Sequence, residues 1–112
     1  MDFVKDDVKR LTEKELEEAN KRFPLFSSPH EAWAVLREEM AEVETERYML
    51  DSYVENRLWN EVRKNLEIHK EDLEEVYIMA VNMAVESIQV AAMIKKIELS
   101  KSRWEEAGSK HQ

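Results

Sequence analysis

Three glutamates and one glutamine lie at spacings that could bring four oxygen ligands to one point. Glu39 and Glu42 are three residues apart in "REEMAEVETE", and Glu86 and Gln89 are three residues apart in "ESIQ". Residues three apart on an α-helix lie on the same side, with Cβ atoms about 5–6 Å apart. Oxygen-only ligand sets suit hard cations, so these four side chains are candidate ligands for Mg²⁺ or Mn²⁺.

Glu86 lies inside the most apolar stretch of the chain, "VNMAVESIQVAAM" at residues 81–93. A carboxylate removed from water must be paired, protonated or bound to a metal. Asn82, Glu86, Gln89 and Met93 share one narrow stripe of a helix, because their spacing is i, i+4, i+7 and i+11. Two interpretations remain open for this stripe: a shared internal site, or a buried hydrogen-bond network that fixes the helix register.

The helices that carry these residues are predicted from capping signals and apolar spacing. An N-terminal helical arm covers residues 1–23, with a capping box from Thr12 to Glu15. "SPHE" predicts the start of the next helix, with Ser28 as its cap and Pro29 at its first position. The residues that follow it place one apolar face on the helix that carries the first glutamates: Trp33, Leu36, Met40 and Val43.

The second half of the chain is predicted to form two further helices. The apolar pattern weakens near "MLDSYVE", where Asp51 or Ser52 could cap a new helix. The last helix is expected from about residue 72 to about residue 99, which makes 29–99 the helical core. Residues 100–112 are expected to form a polar tail.

The composition favours a single all-α domain. One glycine, two prolines and no cysteine in 112 residues leave few turn signals and no disulfide or thiolate site. We therefore predict an antiparallel helical bundle. The last helix is apolar on more faces than short neighbours can cover, which predicts completion of the bundle by a homodimer or homotetramer.

Charge and hydropathy exclude several classes of partner. The net charge of −8 argues against nucleic-acid binding through a broad basic face. The N-terminus lacks the apolar segment of a signal peptide, and polar residues interrupt the apolar stretch at residues 76–94. We therefore expect a cytoplasmic protein with no membrane partner.

The stretch "FPLFSSPHEAWAVLREEMAEV", together with the later "ESIQVAAM", resembles the MazG-like branch of the all-α nucleoside triphosphate pyrophosphohydrolases. The likeness covers roughly residues 23–46 and 82–97. The family signature is E-E-x-x-E on one helix and E-x-x-D on a later one. The first half is present as Glu38, Glu39 and Glu42. In the second half Gln89 replaces the expected Asp, which removes one negative charge, and the two halves lie further apart than is usual in the family.

The resemblance implies Mg²⁺-dependent hydrolysis of a ribo- or deoxyribonucleoside triphosphate to the monophosphate and pyrophosphate, as in house-cleaning enzymes. In that case the metal ligands would be Glu39, Glu42, Glu86 and, more weakly, Gln89. Glu38 would be the catalytic residue that orients or deprotonates the attacking water. The substrate-binding candidates are aromatic, amide and basic side chains near the two motifs: Trp33, Asn82, Lys95 and Lys96.

Two other functions remain open from the sequence. The change to Gln89 and the scarcity of basic residues after the second motif favour a degenerate member of the fold, which binds a metal or nucleotide but turns it over poorly. The width of the apolar surface on the last helix favours a non-enzymatic helical interaction protein, for example one of phage or mobile-element origin.

Overall fold

The computed structural model describes residues 2–109, and every regular element among them is helical. Helix α1 spans Asp2–Arg22, α2 spans Pro29–Tyr53, a π-helical segment spans Val54–Leu58, α3 spans Trp59–Arg63, and α4 spans Lys70–Ser109. The predicted all-α class is confirmed.

Helix α2 begins where the sequence predicts. The Ser28 hydroxyl accepts a hydrogen bond from the backbone N–H of Glu31 at 3.1 Å, and Pro29 is the first helical residue. The Glu31 carboxylate in turn accepts a hydrogen bond from the Ser27 hydroxyl at 2.6 Å. These contacts satisfy an otherwise unpaired N–H of the first turn and fix the direction in which α2 leaves the loop.

Helix α1 is continuous, so the capping box predicted at Thr12 is wrong. The Thr12 hydroxyl instead donates a hydrogen bond to the carbonyl of Val8 at 2.9 Å, inside the helix. Thr12 and Leu16 are buried where α1 packs against α4. No glycine or proline interrupts residues 2–22, so the helix has no reason to end before the loop at Pro24.

The predicted helix start at Asp51 or Ser52 is also wrong, because both residues lie inside α2. The chain passes instead through the π-helical turn at Val54–Leu58. The Asn56 amide donates to the backbone carbonyl of Ser52 at 2.9 Å within this segment. A π turn adds a residue to the helical repeat and rotates the apolar face, which explains why the pattern weakens without a helix end.

Helix α4 is longer than predicted, and it continues through residues 100–109 of the expected polar tail. Residues 110–112 lie outside the described part of the chain. Ser100 is fully buried, and its hydroxyl accepts a hydrogen bond from the Phe26 N–H at 3.0 Å. The Trp104 indole donates to the Phe26 carbonyl at 2.8 Å. These contacts anchor the last turns of α4 to the loop between α1 and α2.

Helix α2 runs antiparallel to α4. Phe26, just before α2, contacts Ser100, whereas Tyr53 at the end of α2 donates a hydrogen bond to Asp72 at 2.6 Å. The chain measures 70 × 29 × 24 Å and has a radius of gyration of 19.3 Å. A compact domain of this length would have a radius near 13 Å, by the usual size scaling. The single chain is therefore elongated and has a small hydrophobic core.

Charged residues close the corner between α3 and α4. Glu61 and Asp72 are buried. The His69 imidazole lies 2.7 Å from the Glu61 carboxylate, and the Arg57 guanidinium lies 3.3 Å from Asp72. Tyr53 completes the group through its hydrogen bond to Asp72. Each buried carboxylate therefore has a polar partner, as buried charge requires.

The corner has a preferred pH range. The side-chain interaction with Glu61, the hydrogen bond that Tyr53 donates and the Arg57 charge together lower the pKa of Asp72 below its usual 3.8. The hydrogen bond and charge of Glu61 raise the pKa of His69 above 6.5. The contribution of Asp72 to folding stability is lost as the pH falls through its lowered pKa. The contribution of His69 to folding stability is lost as the pH rises through its raised pKa. The corner therefore contributes most to the stability of the folded state at mildly acidic pH.

The segment Lys70–Glu106 of α4 is long and apolar enough to cross a membrane by length and composition. The core helix of a soluble protein passes the same criterion. In this chain, only 6% of the most apolar 18-residue window of α4 is buried. Helix α4 is therefore apolar, and within the single chain most of its apolar side chains are not buried by other helices.

Candidate metal centre

The three glutamates of the predicted site lie together between α2 and α4. Glu39, Glu42 and Glu86 each offer a carboxylate oxygen within 4.8 Å of the other two. Glu39 and Glu42 are one turn apart on α2, and the antiparallel pairing brings Glu86 of α4 opposite them. Glu39 and Glu86 are partly buried, whereas Glu42 is exposed at the edge of the group. We call these three residues the carboxylate triad.

Burial and mutual repulsion make the triad electrostatically unfavourable. Burial, followed by the hydrogen bond and charge of Glu42, raises the pKa of Glu86 to about 7 from its usual 4.5, with further contributions from Glu39 and Glu46. Burial and Glu42 also raise the pKa of Glu39, and Glu15 of α1 adds to the effect. Such shifts arise when carboxylates share a site without a compensating cation.

Two oxygen atoms of the triad lack a hydrogen-bond partner among the described residues. They are Oε2 of Glu39 and Oε2 of Glu86, and both are inaccessible to solvent. A buried oxygen without a donor costs free energy, and most such atoms in folded proteins are paired. The triad therefore combines an excess of negative charge with unused acceptor capacity.

A cleft of about 850 Å³ opens beside the triad. Its walls are formed by three helices, α1, α2 and α4, and by the loop between α1 and α2. Glu38, Glu39 and Gln89 lie at one part of this wall. The other lining residues are contributed mainly by α1, the loop and the later turns of α4: Glu15, Glu18, Ala19, Arg22, Phe23, Pro24, Phe26, Glu31, Val35, Ala92, Met93 and Lys96.

Two of the predicted catalytic and metal-binding residues lie beside the triad rather than in it. Glu38 is exposed on α2 and faces the cleft, where its carboxylate is accessible to water. Gln89 is half-buried on α4, one turn beyond Glu86, and lines the same cleft. All five residues of the predicted catalytic and metal set therefore lie on the facing parts of two helices.

The predicted substrate-binding residues are divided between the cleft and the surface. Lys96 is buried and lines the cleft. Lys95 is exposed and lies 3.9 Å from Glu98 in a surface ion pair. Trp33 has 64% of its surface exposed, Asn82 is also exposed, and neither lines the cleft. The structure therefore brings only Lys96 of this group to the site.

Helix α1 and the loop that follows it form a wall of the cleft that was not predicted from the sequence. Arg22, Phe23 and Phe26 line the cleft, although the predicted site used residues of α2 and α4 alone. The two phenylalanines belong to "FPLF", which begins the stretch that resembles the pyrophosphohydrolase family. The sequence signal for this wall was a pair of aromatic residues next to a proline, just before the helix that carries Glu39 and Glu42.

The donor set of the triad is the type that hard divalent cations bind. Glu39, Glu42 and Glu86 supply only carboxylate oxygens, and Gln89 could add an amide oxygen nearby. Mg²⁺ uses such ligands together with waters and substrate phosphates. No protein-family model, curated protein or solved structure matches this chain. The functional proposal therefore rests on these residues and on the sequence resemblance.

Proposed function

We propose that this protein is a Mg²⁺-dependent nucleoside triphosphate pyrophosphohydrolase of the MazG-like type. The observation that carries the proposal is the carboxylate triad, in which Glu39 and Glu86 each hold a buried oxygen without a partner among the described residues. A divalent cation would satisfy both oxygens and offset the burial and the repulsion that together raise the pKa of Glu86. The sequence motifs "EEMAE" and "ESIQ" point to the same chemistry.

Different side chains at the cleft would bind the metal, orient the attacking water and contact the nucleotide. The triad would hold Mg²⁺ or Mn²⁺, with Gln89 as a weaker ligand. When bound, the cation would neutralise developing charge on the phosphoryl oxygens of the substrate. Glu38 lines the cleft beside the triad, where it would orient a water molecule and accept its proton. Lys96 would contact another part of the nucleotide.

The direct test is Mg²⁺-dependent release of pyrophosphate, rather than orthophosphate, from ribo- and deoxyribonucleoside triphosphates. We expect Glu39→Gln to reduce kcat/KM by about 100-fold or more, because changes in the outer shell of metal sites alone cost up to about 100-fold. Glu44→Gln is the matched control, since Glu44 lies on the same helix, is exposed and pairs with Arg47 at 3.7 Å. Orthophosphate release, or equal loss in both variants, would contradict the assignment.

A degenerate member of the fold is the second candidate. The observation that favours it is Gln89, which brings an uncharged oxygen where the family signature has an aspartate. The cleft also has five glutamates on its wall against Arg22 and Lys96. This candidate predicts that nucleotide and metal bind without turnover, so the pyrophosphate assay separates the two.

We further propose that the protein functions as a homodimer or homotetramer. Large apolar side chains on α2 and α4 are at least 40% exposed in the single chain: Trp33, Met40, Tyr48, Met49, Tyr77, Ile78, Val81, Val85 and Ile94. An exposed apolar surface of this extent marks an interaction site. We place a second copy there because most soluble oligomers are symmetric assemblies of one chain.

Size-exclusion chromatography with light scattering measures this directly. We expect a mass two or four times the 13.3 kDa of the chain. Ile78→Glu should shift the population towards the monomer, because it places a charge on the exposed apolar face of α4. Lys70→Glu, at the exposed start of the same helix, is the control and should leave the mass unchanged. A wild-type monomer would contradict the proposal.

A further inference from the structure

The cleft beside the triad has two chemically different ends. One end carries Glu38, Glu39 and Gln89, next to the carboxylate triad. The other end carries Phe23 and Phe26, and it lies against the later turns of α4. Phe23 is 65% exposed and Phe26 is 3% exposed, so one ring is free to contact a ligand while the other belongs to the wall.

Lys96 is the unusual residue of the aromatic end. Its side chain is 3% exposed, although it carries an ammonium group. The ammonium lies 5.0 Å from the centre of the Phe26 ring, and Lys96 forms none of the ion pairs among the described side chains. The ring faces the cation favourably but accepts no ordinary hydrogen bond from it. The ammonium therefore has unused donors in the wall of the cleft.

The position of Lys96 along α4 separates it from the triad. Lys96 follows Glu86 by ten residues, which corresponds to about 15 Å of rise along an α-helix. A metal held by Glu86 would bind the phosphates at the triad end of the cleft. The opposite end of an extended nucleotide, which is its base, would then lie near Lys96 and the phenylalanines.

Hydrogen bonds hold this end of the cleft in place. The Ser100 hydroxyl donates to the Lys96 carbonyl at 2.7 Å and accepts from the Phe26 N–H at 3.0 Å. The Trp104 indole donates to the Phe26 carbonyl at 2.8 Å. Because these contacts fix both the loop and α4, the Lys96 ammonium and the Phe26 ring form a preorganised surface.

Glu31 supplies an acceptor beside this donor. Its carboxylate lines the same cleft, and its negative charge opposes the lowering of the Lys96 pKa that burial causes. The Ser27 hydroxyl holds that carboxylate with a hydrogen bond of 2.6 Å. A cationic donor and an anionic acceptor on one wall match a ligand edge that has an acceptor next to a donor.

We propose that Lys96 and Glu31 select nucleotides whose base carries a carbonyl next to a ring N–H, namely guanine, uracil and thymine. The inference rests on the proposed function and specifies its substrate class. Lys96 donates to the carbonyl oxygen, Glu31 accepts from the ring N–H, and Phe23 covers one face of the base. Adenine and cytosine place an amino group where the carbonyl would be, so a donor would face the Lys96 ammonium.

The test compares kcat/KM for pyrophosphate release from GTP, UTP, ATP and CTP in Mg²⁺, with calorimetric binding of GTP and ATP to the same protein. We expect wild type to prefer GTP and UTP by about tenfold, because two adjacent contacts to a base edge discriminate against a base with the opposite donor and acceptor pattern. Lys96→Met should remove most of this preference, and Glu31→Gln should weaken it. Lys95→Met is the matched control, because Lys95 is exposed and paired with Glu98, and it should retain the preference.

The outcomes separate this inference from the proposed function. Hydrolysis of all four nucleotides at similar kcat/KM would overturn the base selection and leave the pyrophosphohydrolase proposal standing. Tighter binding of GTP than ATP without hydrolysis would support the base selection and remove the enzyme proposal. Equal loss of preference in Lys95→Met would overturn the role of Lys96. If Lys96→Met does not fold, Glu31→Gln gives the decision, and an unchanged preference there overturns the proposal.

Discussion

Replacing Glu86 with glutamine is expected to stabilise the metal-free protein and to abolish its Mg²⁺-dependent hydrolysis. The substitution keeps the shape of the side chain but removes a charge from the carboxylate triad. We expect the melting temperature at pH 7.5 without metal to rise by about 5–10 °C, which corresponds to about 1–2 kcal/mol for a chain of this size. We expect kcat/KM for pyrophosphate release to fall by about 100-fold or more.

The stability change follows from the raised pKa of Glu86, which lies at about 7 against an ordinary value of 4.5. A carboxyl with a raised pKa binds its proton more tightly in the folded state than in the unfolded state. Its effect on stability is therefore neutral below pH 4.5, becomes increasingly unfavourable between pH 4.5 and about 7, and levels off above that. Glutamine carries no charge at any of these values, so the Glu86→Gln protein should lose this part of the pH dependence.

Thermal unfolding between pH 4.5 and 8, in a chelator and at constant ionic strength, measures the effect. Glu44→Gln, at an exposed residue of α2 outside the triad, serves as the control and should follow the wild-type curve within a small offset. A Glu86→Gln protein less stable than wild type at pH 7.5 would show that the carboxylate is favourably paired. That result would contradict the electrostatic account of the triad.

The second large effect is expected from metal addition, and it should depend on pH. At pH 8, above the raised pKa of Glu86, a saturating concentration of Mg²⁺ should raise the melting temperature. Ligand at 100 times its dissociation constant stabilises the folded state by about 2.7 kcal/mol. At pH 5 Glu86 holds a proton that the metal must displace, so the same concentration should produce little change.

Differential scanning fluorimetry or calorimetry at both pH values tests this expectation, with NaCl at matched ionic strength as the salt control. Glu86→Gln and Glu39→Gln should each lose most of the metal response, whereas Glu44→Gln should retain it. A shift of equal size at pH 5 and pH 8 would be inconsistent with binding through the triad. A shift that survives in both triad variants would place the metal elsewhere.

The convergence of the triad was predictable because its determinants are local. The spacing of Glu39 and Glu42 fixes their shared side of α2, and the stripe that contains Glu86 fixes its side of α4. "SPHE" likewise determines the start of α2 through contacts within four residues, which the Ser28 hydrogen bond confirms. Antiparallel packing of α2 and α4, in the register set by the Phe26–Ser100 and Tyr53–Asp72 contacts, then brings the two sets together.

The features that the sequence did not reveal depend on contacts between distant parts of the chain. The burial of Lys96 comes from the Phe26 loop, 70 residues earlier, which packs against α4. The corner formed by Glu61, His69 and Asp72 depends on how the chain turns after α3. The π-helical turn at Val54–Leu58 changes the helical repeat, so its altered periodicity resembled a helix end.

The most direct test of the account is the anomalous scattering from a crystal of this protein grown with MnCl₂. We predict one strong manganese peak bounded by the carboxylates of Glu39, Glu42 and Glu86, with the previously unpaired oxygens of Glu39 and Glu86 among its ligands. The peak should be absent from Glu86→Gln crystals grown in the same way. Wild-type crystals with no peak at the triad, and with its carboxylates hydrogen-bonded to one another, would contradict the proposed metal centre.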